Sequence, residues 1–269
     1  MKYIAVIGGD GRQAILAELL AEDGFAVCTV GLGSPWEVPL ETAVRAEAVI
    51  LPLPLGDGVG GVTTETLFGM LRSGTPVLAG QVKPAQRQAA EARGIRLVDY
   101  FLREELTVAN AAATAEAALR VAMEHTDRTL LGTEVLVLGF GRIGKLLAFR
   151  LHGLGGRVTA TARKPEDLAW IEAFGWRAEK TDDALRDLGR FPVIFNTIPS
   201  TIINKEMLRG AGSPLVVDLA SVSGVEAKAA EVLGERYIWA RGLPGKLVPR
   251  TAAMAIRRAV HAVLREWEG

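Results

Sequence analysis

The stretch LVLGFGRIG, Leu136–Gly144, decides how this chain reads. An apolar run, EVLVL (134–138), breaks into glycines and then into RIGKLLAFRLHGLG, whose apolar residues recur at helical spacing. A strand, a tight turn and a helix therefore follow one another. Gly139, Gly141 and Gly144 fit the pattern G-x-G-x-x-G, and each has its own physical task. Gly139 makes the turn, Gly141 lets a pyrophosphate approach the backbone, and Gly144 lets the helix pack close to the strand. Arg142 and Ile143 fall in the first helical turn, where unpaired N–H groups and the helix dipole favour an anion. The pattern predicts a dinucleotide site. The alternative is a tight turn that holds no ligand.

The next strand, RVTATA (157–162), selects the nucleotide. An acid at its end would hold the adenosine ribose hydroxyls and repel a 2′-phosphate. Here Thr161, Arg163 and Lys164 offer a hydroxyl and two cations, and the planar arginine fork suits a phosphate. NADP is expected rather than NAD, unless Arg163 and Lys164 are only solvated charges before Pro165. Farther on, FNTIPS (195–200) follows a strand and should pass the nicotinamide half, with Asn196 and Thr197 as donors and Pro199 fixing the turn. DLASVSG (218–224) should bring Asp218 and Ser221 to the same edge, with helix capping as the other use of the serine.

Outward from this turn, short apolar runs alternate with helical patterns, as in βαβ units with parallel sheet. One series is YIAVI (3–7), FAVCTV (25–30), AEAVILPL (46–53), TPVLA (75–79) and IRLVD (95–99). The other adds FPVIFNT (191–197), PLVVDLA (214–220) and RYIWA (236–240) to the two strands above. The alanine-rich segment 106–126 lacks internal Gly and Pro and should be one bridging helix. The last segment puts Ile256, Val260, Val263, Leu264 and Trp267 on one face and needs a surface to cover it. The expected fold is α/β: two doubly wound, Rossmann-like domains joined by long helices around a cleft. The domains would be 1–106, with 249–269 packing back on it, and 107–248.

IGGDGRQA offers a rival turn, with Gly9, Gly11 and Ala14 as G-x-G-x-x-A. Asp10 would put a carboxylate where a pyrophosphate must lie, so this turn better serves to present Arg12 at the sheet edge. Lys plus Arg equals Asp plus Glu, 31 each, which gives no footprint for nucleic acid or an anionic membrane. A single cysteine, Cys28, excludes a disulfide framework and a cysteine metal cluster. No apolar run approaches the roughly 20 residues of a membrane span, and a cytoplasmic location is expected. No His, Cys or acid spacing suggests a metal. His125, His152 and His261 all fall on helices, so the histidine base that a hydroxy-acid dehydrogenase uses is missing.

The chain resembles the dipicolinate synthase A-subunit family. The segments that carry the resemblance are GGDGRQ (8–13), LPLP (51–54), NAAATAEA (110–117), VLVLGFGRIG (135–144), VIFNTIP (193–199), DLAS (218–221) and GLPGKLVPRTAA (242–253), in this order and nearly end to end. The resemblance implies oxidation of dihydrodipicolinate, or its hydrated precursor, to dipicolinate, with NADP as acceptor, in the mother-cell cytoplasm during sporulation. It implies a partner, a flavoprotein-like B subunit; a homo-oligomer is left open. A dicarboxylate needs cationic clamps, for which Arg12 and Arg250 are candidates, with Asn110 and Ser221 as further contacts. Thr114 and Glu116, near the start of the bridge, would face the cleft, with Glu116 the candidate proton acceptor and Asp218 a further catalytic candidate; the alternative is that Glu116 is a solvated helix residue and that Thr114 bonds its own helix. Two other readings stay open: an NADPH-dependent reductase of another small carboxylated imine or keto substrate, and a regulatory protein that binds NADP(H) without catalysis.

Overall fold

The computed structural model describes residues 2–268, with side chains through residue 267. The chain forms two compact units, one built from the residues up to Asn110 and from Pro244 onward, the other from Ala111–Leu243.

In the first unit the strands are β1 (Tyr3–Ile7), β2 (Ala26–Val30), β3 (Ala48–Ile50), the pair β4 (Gly58–Val59) and β5 (Val62–Thr63), β6 (Pro76–Ala79) and β7 (Arg96–Asp99). Five of them form a parallel sheet in the order β2-β1-β3-β6-β7. Side chains alternate across it. Ile4 and Val6 of β1 join one core with Leu16 and Leu20 of α1 (Gly11–Glu22), while Ala5 and Ile7 join the opposite core with Leu67 and Phe68. Short helices α2 (Leu40–Ala43), α3 (Thr64–Met70) and α4 (Pro84–Glu91) complete the wrapping. Helix α5 (Glu104–Glu124) carries the chain into the second unit.

That unit holds β8 (Glu134–Leu138), β9 (Arg157–Ala162), β10 (Arg177–Lys180), β11 (Val193–Asn196), β12 (Leu215–Asp218) and β13 (Tyr237–Trp239). They form one parallel sheet in the order β10-β9-β8-β11-β12-β13, the doubly wound arrangement of a dinucleotide domain. Its helices are α6 (Arg142–Gly153), α7 (Pro165–Ala173), α8 (Thr181–Ala184) and α9 (Ala227–Leu233). The short α10 (Leu243–Leu247) leads into α11 (Pro249–Glu268). Ile256, Val260, Val263 and Leu264 of α11 are buried in the core that α1 shares. Each such side chain contributes about 1.5–3 kcal/mol when fully covered, so α11 is integral to the first unit.

Two elements lie outside the strand series read from the sequence. β10 reads RAEK, too short and polar to stand out as an apolar run, yet it pairs with β9 over its whole length. The segment 55–66 carries a hairpin. Gly60 and Gly61, at φ +60 and +83, make the two-residue turn that only a positive-φ pair allows.

Candidate functional site

In the second unit the sheet changes winding direction between β8 and β11, and ligands of such sheets bind beyond the carboxyl ends there. The glycine turn stands at this point. Gly139 has φ +95, and a Cβ on it would lie 2.5 Å from the Thr197 hydroxyl and 2.9 Å from Ile198. A Cβ on Gly144 would overlap the carbonyl oxygen of Gly139. Gly141 is different: nothing lies within 4 Å of where its Cβ would be, and it starts α6 with no side chain capping the free N–H groups. The helix start is thus open on the ligand side and closed on the protein side. These residues fit the pyrophosphate of a nicotinamide dinucleotide. Exposed Arg142 and half-buried Ile143 complete the first turn.

The structure corrects the expected roles of several neighbours. Thr161 is fully buried, so its hydroxyl is not offered to a ribose; it accepts from the Gly139 N–H at 3.2 Å and from the Thr181 hydroxyl at 3.3 Å. Arg163 and Lys164, past the end of β9, are exposed and have no ion-pair partner among the described residues. Thr197 donates its hydroxyl to the Leu138 carbonyl at 2.8 Å, locking the loop after β11 to β8. Pro199 is exposed. Asn196, expected as a donor to the nicotinamide half, is fully buried. It accepts from the Ile198 N–H at 3.0 Å and donates to the Ile198 carbonyl at 3.1 Å and to Asp218 at 2.8 Å.

Asp218 is not placed for proton transfer either. It is fully buried and also accepts from Ala220 N–H at 3.1 Å, Gly224 N–H at 2.7 Å and the Tyr237 hydroxyl at 3.1 Å. A buried carboxylate is tolerated when its lone pairs are filled in this way. Burial pushes the Tyr237 phenol up, so it remains a donor. A Cβ on Gly224 would overlap the Asn196 amide, so only glycine closes this network. Asn196 and Asp218 thus position two loops at the sheet edge. Sequence reading missed Tyr237, Gly224 and Thr181, because a partner across a loop leaves no periodic signal. Ser221 is exposed. On α5, Thr114 is buried, and exposed Glu116 accepts from Arg150 of α6 at 2.9 Å. Half-buried Asn110 is the last residue of the first unit's share of α5.

In the first unit, the rival turn is filled by its own chain. Asp10 caps α1, accepting from Arg12 N–H at 2.9 Å, and Gln13 returns an acceptor to Asp10 N–H at 3.2 Å. Arg12, expected as a carboxylate clamp, is buried with its fork on Asp10 (2.9 and 2.8 Å) and on the Leu53 carbonyl. Burial pushes the Asp10 carboxyl up, but the Arg12 hydrogen bonds outweigh it and hold the group below the usual range. Gly245 lies over this pair; a Cβ there would come 2.8 Å from Asp10 and 2.9 Å from Arg12. Arg250, by contrast, is exposed in the first turn of α11 and unpaired among the described residues. A depression of about 820 Å³ opens at this sheet's own switch point, between the ends of β1 and β3, lined by Gly8, Gly9, Pro52 and the β4–β5 hairpin. Among the described residues no cluster could hold a metal ion, and no helix is long and apolar enough to cross a membrane.

Comparison with known proteins adds the family. The N-terminal domain of the dipicolinate synthase A-subunit matches residues 3–101. The NAD binding domain of D-isomer specific 2-hydroxyacid dehydrogenases matches residues 101–211. The dipicolinate synthase A-subunit of Bacillus subtilis (strain 168) is 31% identical over 98% of this chain and 96% of its own. The crystal structure of the dipicolinate synthase A-subunit from Bacillus subtilis superposes with a TM-score of 0.82 at 29% identity, covering 98% of this chain and 96% of that one. The A-subunit structure from Bacillus halodurans gives 0.82 at 27% identity, over 98% and 97%.

Proposed function

The chain belongs to the dipicolinate synthase A-subunit family, and from that premise we propose that it oxidises dihydrodipicolinate, or its hydrated precursor, to dipicolinate with NADP. Its coarser role is that of an oxidoreductase with a nicotinamide-binding dehydrogenase domain. The observation that carries the finer reading is the glycine turn followed by a basic strand end. The open start of α6 suits a pyrophosphate, and Arg163 and Lys164 suit a 2′-phosphate.

When bound, NADP supplies the acceptor for the hydride that leaves the substrate ring. The chain's own residues do the rest. Thr161 and Thr197 hold the glycine turn to β9 and β11. The Asn196–Asp218 pair fixes the loops past β11 and β12. Exposed Arg250, at the start of a long helix, is suited to hold a substrate carboxylate. Forming an aromatic ring is strongly downhill, so the carbon-bound proton needs only a modest base or water. This accords with a chain whose buried carboxylate, Asp218, is committed to structure.

The chain works, on this reading, with a flavoprotein-like B subunit in the cytoplasm of a sporulating mother cell. The test is absorbance at the NADPH band with purified chain, freshly generated dihydrodipicolinate and either NADP or NAD, with and without the B partner. A rise with NADP and little with NAD supports the proposal. Tight NADP binding without any rise moves the assignment to a regulatory role. NADPH consumption with another carboxylated imine or keto acid moves it to a reductase.

A further inference from the structure

The cation that sequence reading overlooked is Lys180. It ends β10, and its Cα pairs with that of Ala162, one residue before Arg163. Neighbouring strands lie about 4.8 Å apart, a gap that the four-carbon stem of lysine spans. Lys180 is exposed and, like Arg163 and Lys164, has no ion-pair partner among the described residues. Three like charges at adjoining strand ends repel one another unless an anion lies among them.

The residues flanking Lys180 are both tied down. Glu179 takes two hydrogen bonds from Arg190, at 3.1 and 2.9 Å, and an ion pair from Arg177 at 2.9 Å. The Arg190 hydrogen bonds hold the Glu179 carboxyl below its usual range, so it stays paired and does not bid for Lys180. Thr181 donates its hydroxyl to Thr161, which in turn receives the Gly139 N–H. The end of β10 is thereby fixed to the glycine turn through buried hydroxyls, and the ammonium of Lys180 is left uncommitted. The acids in the first turns of α7 and α8 are Glu166, Asp167, Asp182 and Asp183, where they complement those helix starts; Asp167 pairs with Lys145 at 3.9 Å and Asp183 with Arg186 at 2.9 Å.

We propose that Lys180 closes on the same phosphate as Arg163, so that the 2′-phosphate of NADP is held between the carboxyl ends of β9 and β10. This rests on the NADP reading and adds a specificity-determining residue beyond the glycine turn and the end of β9.

The experiment is titration calorimetry of the full chain with two probes, adenosine 2′,5′-bisphosphate and AMP, which differ by the phosphate in question. Wild type should favour the bisphosphate. Lys180→Ala should weaken the bisphosphate about tenfold and leave AMP unchanged, and Lys180→Arg should restore most of the loss. Lys228→Ala, an exposed cation on α9, serves as the control and should alter neither probe. A Lys180→Ala chain that keeps the full preference, while Arg163→Ala loses it, overturns the role of Lys180 and leaves the NADP reading standing. A wild type that binds both probes equally overturns the NADP reading, and this inference with it.

Discussion

Gly141→Ala and Gly144→Ala separate what the glycine turn does for the fold from what it does for a ligand. At Gly144 an added Cβ meets the Gly139 carbonyl, backbone against backbone, with no flexible side chain to yield. Forcing it in should cost about 3 kcal/mol, as for a methyl pushed into a packed core. At Gly141 the added Cβ meets nothing within 4 Å, and the residue's φ of −77 suits alanine. Stability should stay within about 0.5 kcal/mol of wild type. The same Cβ, however, stands where, on the proposed reading, a pyrophosphate comes up to the uncapped N–H groups of α6. Losing one charge-assisted hydrogen bond there should cost about 2 kcal/mol, or roughly thirtyfold in Kd. Thermal unfolding by circular dichroism and calorimetry with NADP measure the two effects independently. A Gly141→Ala chain with wild-type Tm and wild-type NADP affinity refutes the assignment of the pyrophosphate to this helix start.

The Asp218 network should be the most sensitive polar site of the second unit. Asp218→Asn turns one acceptor into a donor amid four donors and should cost about 3 kcal/mol in urea unfolding, while Tyr237→Phe should cost about 1 kcal/mol. In the first unit, Asp23 accepts from Arg257 and from His261 Nε2 at 2.6 Å, joining α1 to α11. The Arg257 hydrogen bonds hold its carboxyl below the usual range. A depressed folded pKa stabilises above the unfolded value of about 3.9 and is lost as pH falls through the folded value, so Asp23→Asn should flatten the acid limb of a stability–pH curve below about pH 4. Glu116→Gln should leave turnover within about twofold, because the exposed pair with Arg150 carries little energy; a collapse of kcat at unchanged KM would instead mark Glu116 as the proton acceptor.

How much of this was legible in the sequence depended on whether a feature repeats. Strands of the EVLVL kind announce themselves by apolar runs, and the glycine turn by spacing tied to three steric demands. β10 did not, because it has no apolar run of its own: it is held by pairing with β9 and by the polar pairs of Glu179 with Arg177 and Arg190. With it went Lys180. The hairpin was readable after all, since Gly60–Gly61 between valines is a two-residue turn signal. Residue type at a strand end identified Asn196 and Asp218 as important but not their role. A polar side chain at a sheet edge can face the ligand or face a loop, and only burial separates the two.

The rival turn of the first unit shows the same point in energetic terms. Both units place a G-x-G-x-x-[GA] pattern after their first strand, so both present a helix start with free N–H groups and a positive dipole end. The residue between the first two glycines decides what fills it. In the second unit Phe140 turns into the interior and Gly141 leaves α6 without a side-chain cap, so the chain supplies no anion of its own there. In the first unit Asp10 supplies the anion itself, Gln13 completes the capping box, and Arg12 neutralises the carboxylate from the side while bracing the Leu53 carbonyl. A dinucleotide phosphate arriving there would have to displace a carboxylate already held by the Arg12 backbone and guanidinium. The duplication of architecture is therefore not a duplication of chemistry: of the two turns, only that of the second unit leaves its helix start without a side-chain cap, as the proposed nucleotide site requires.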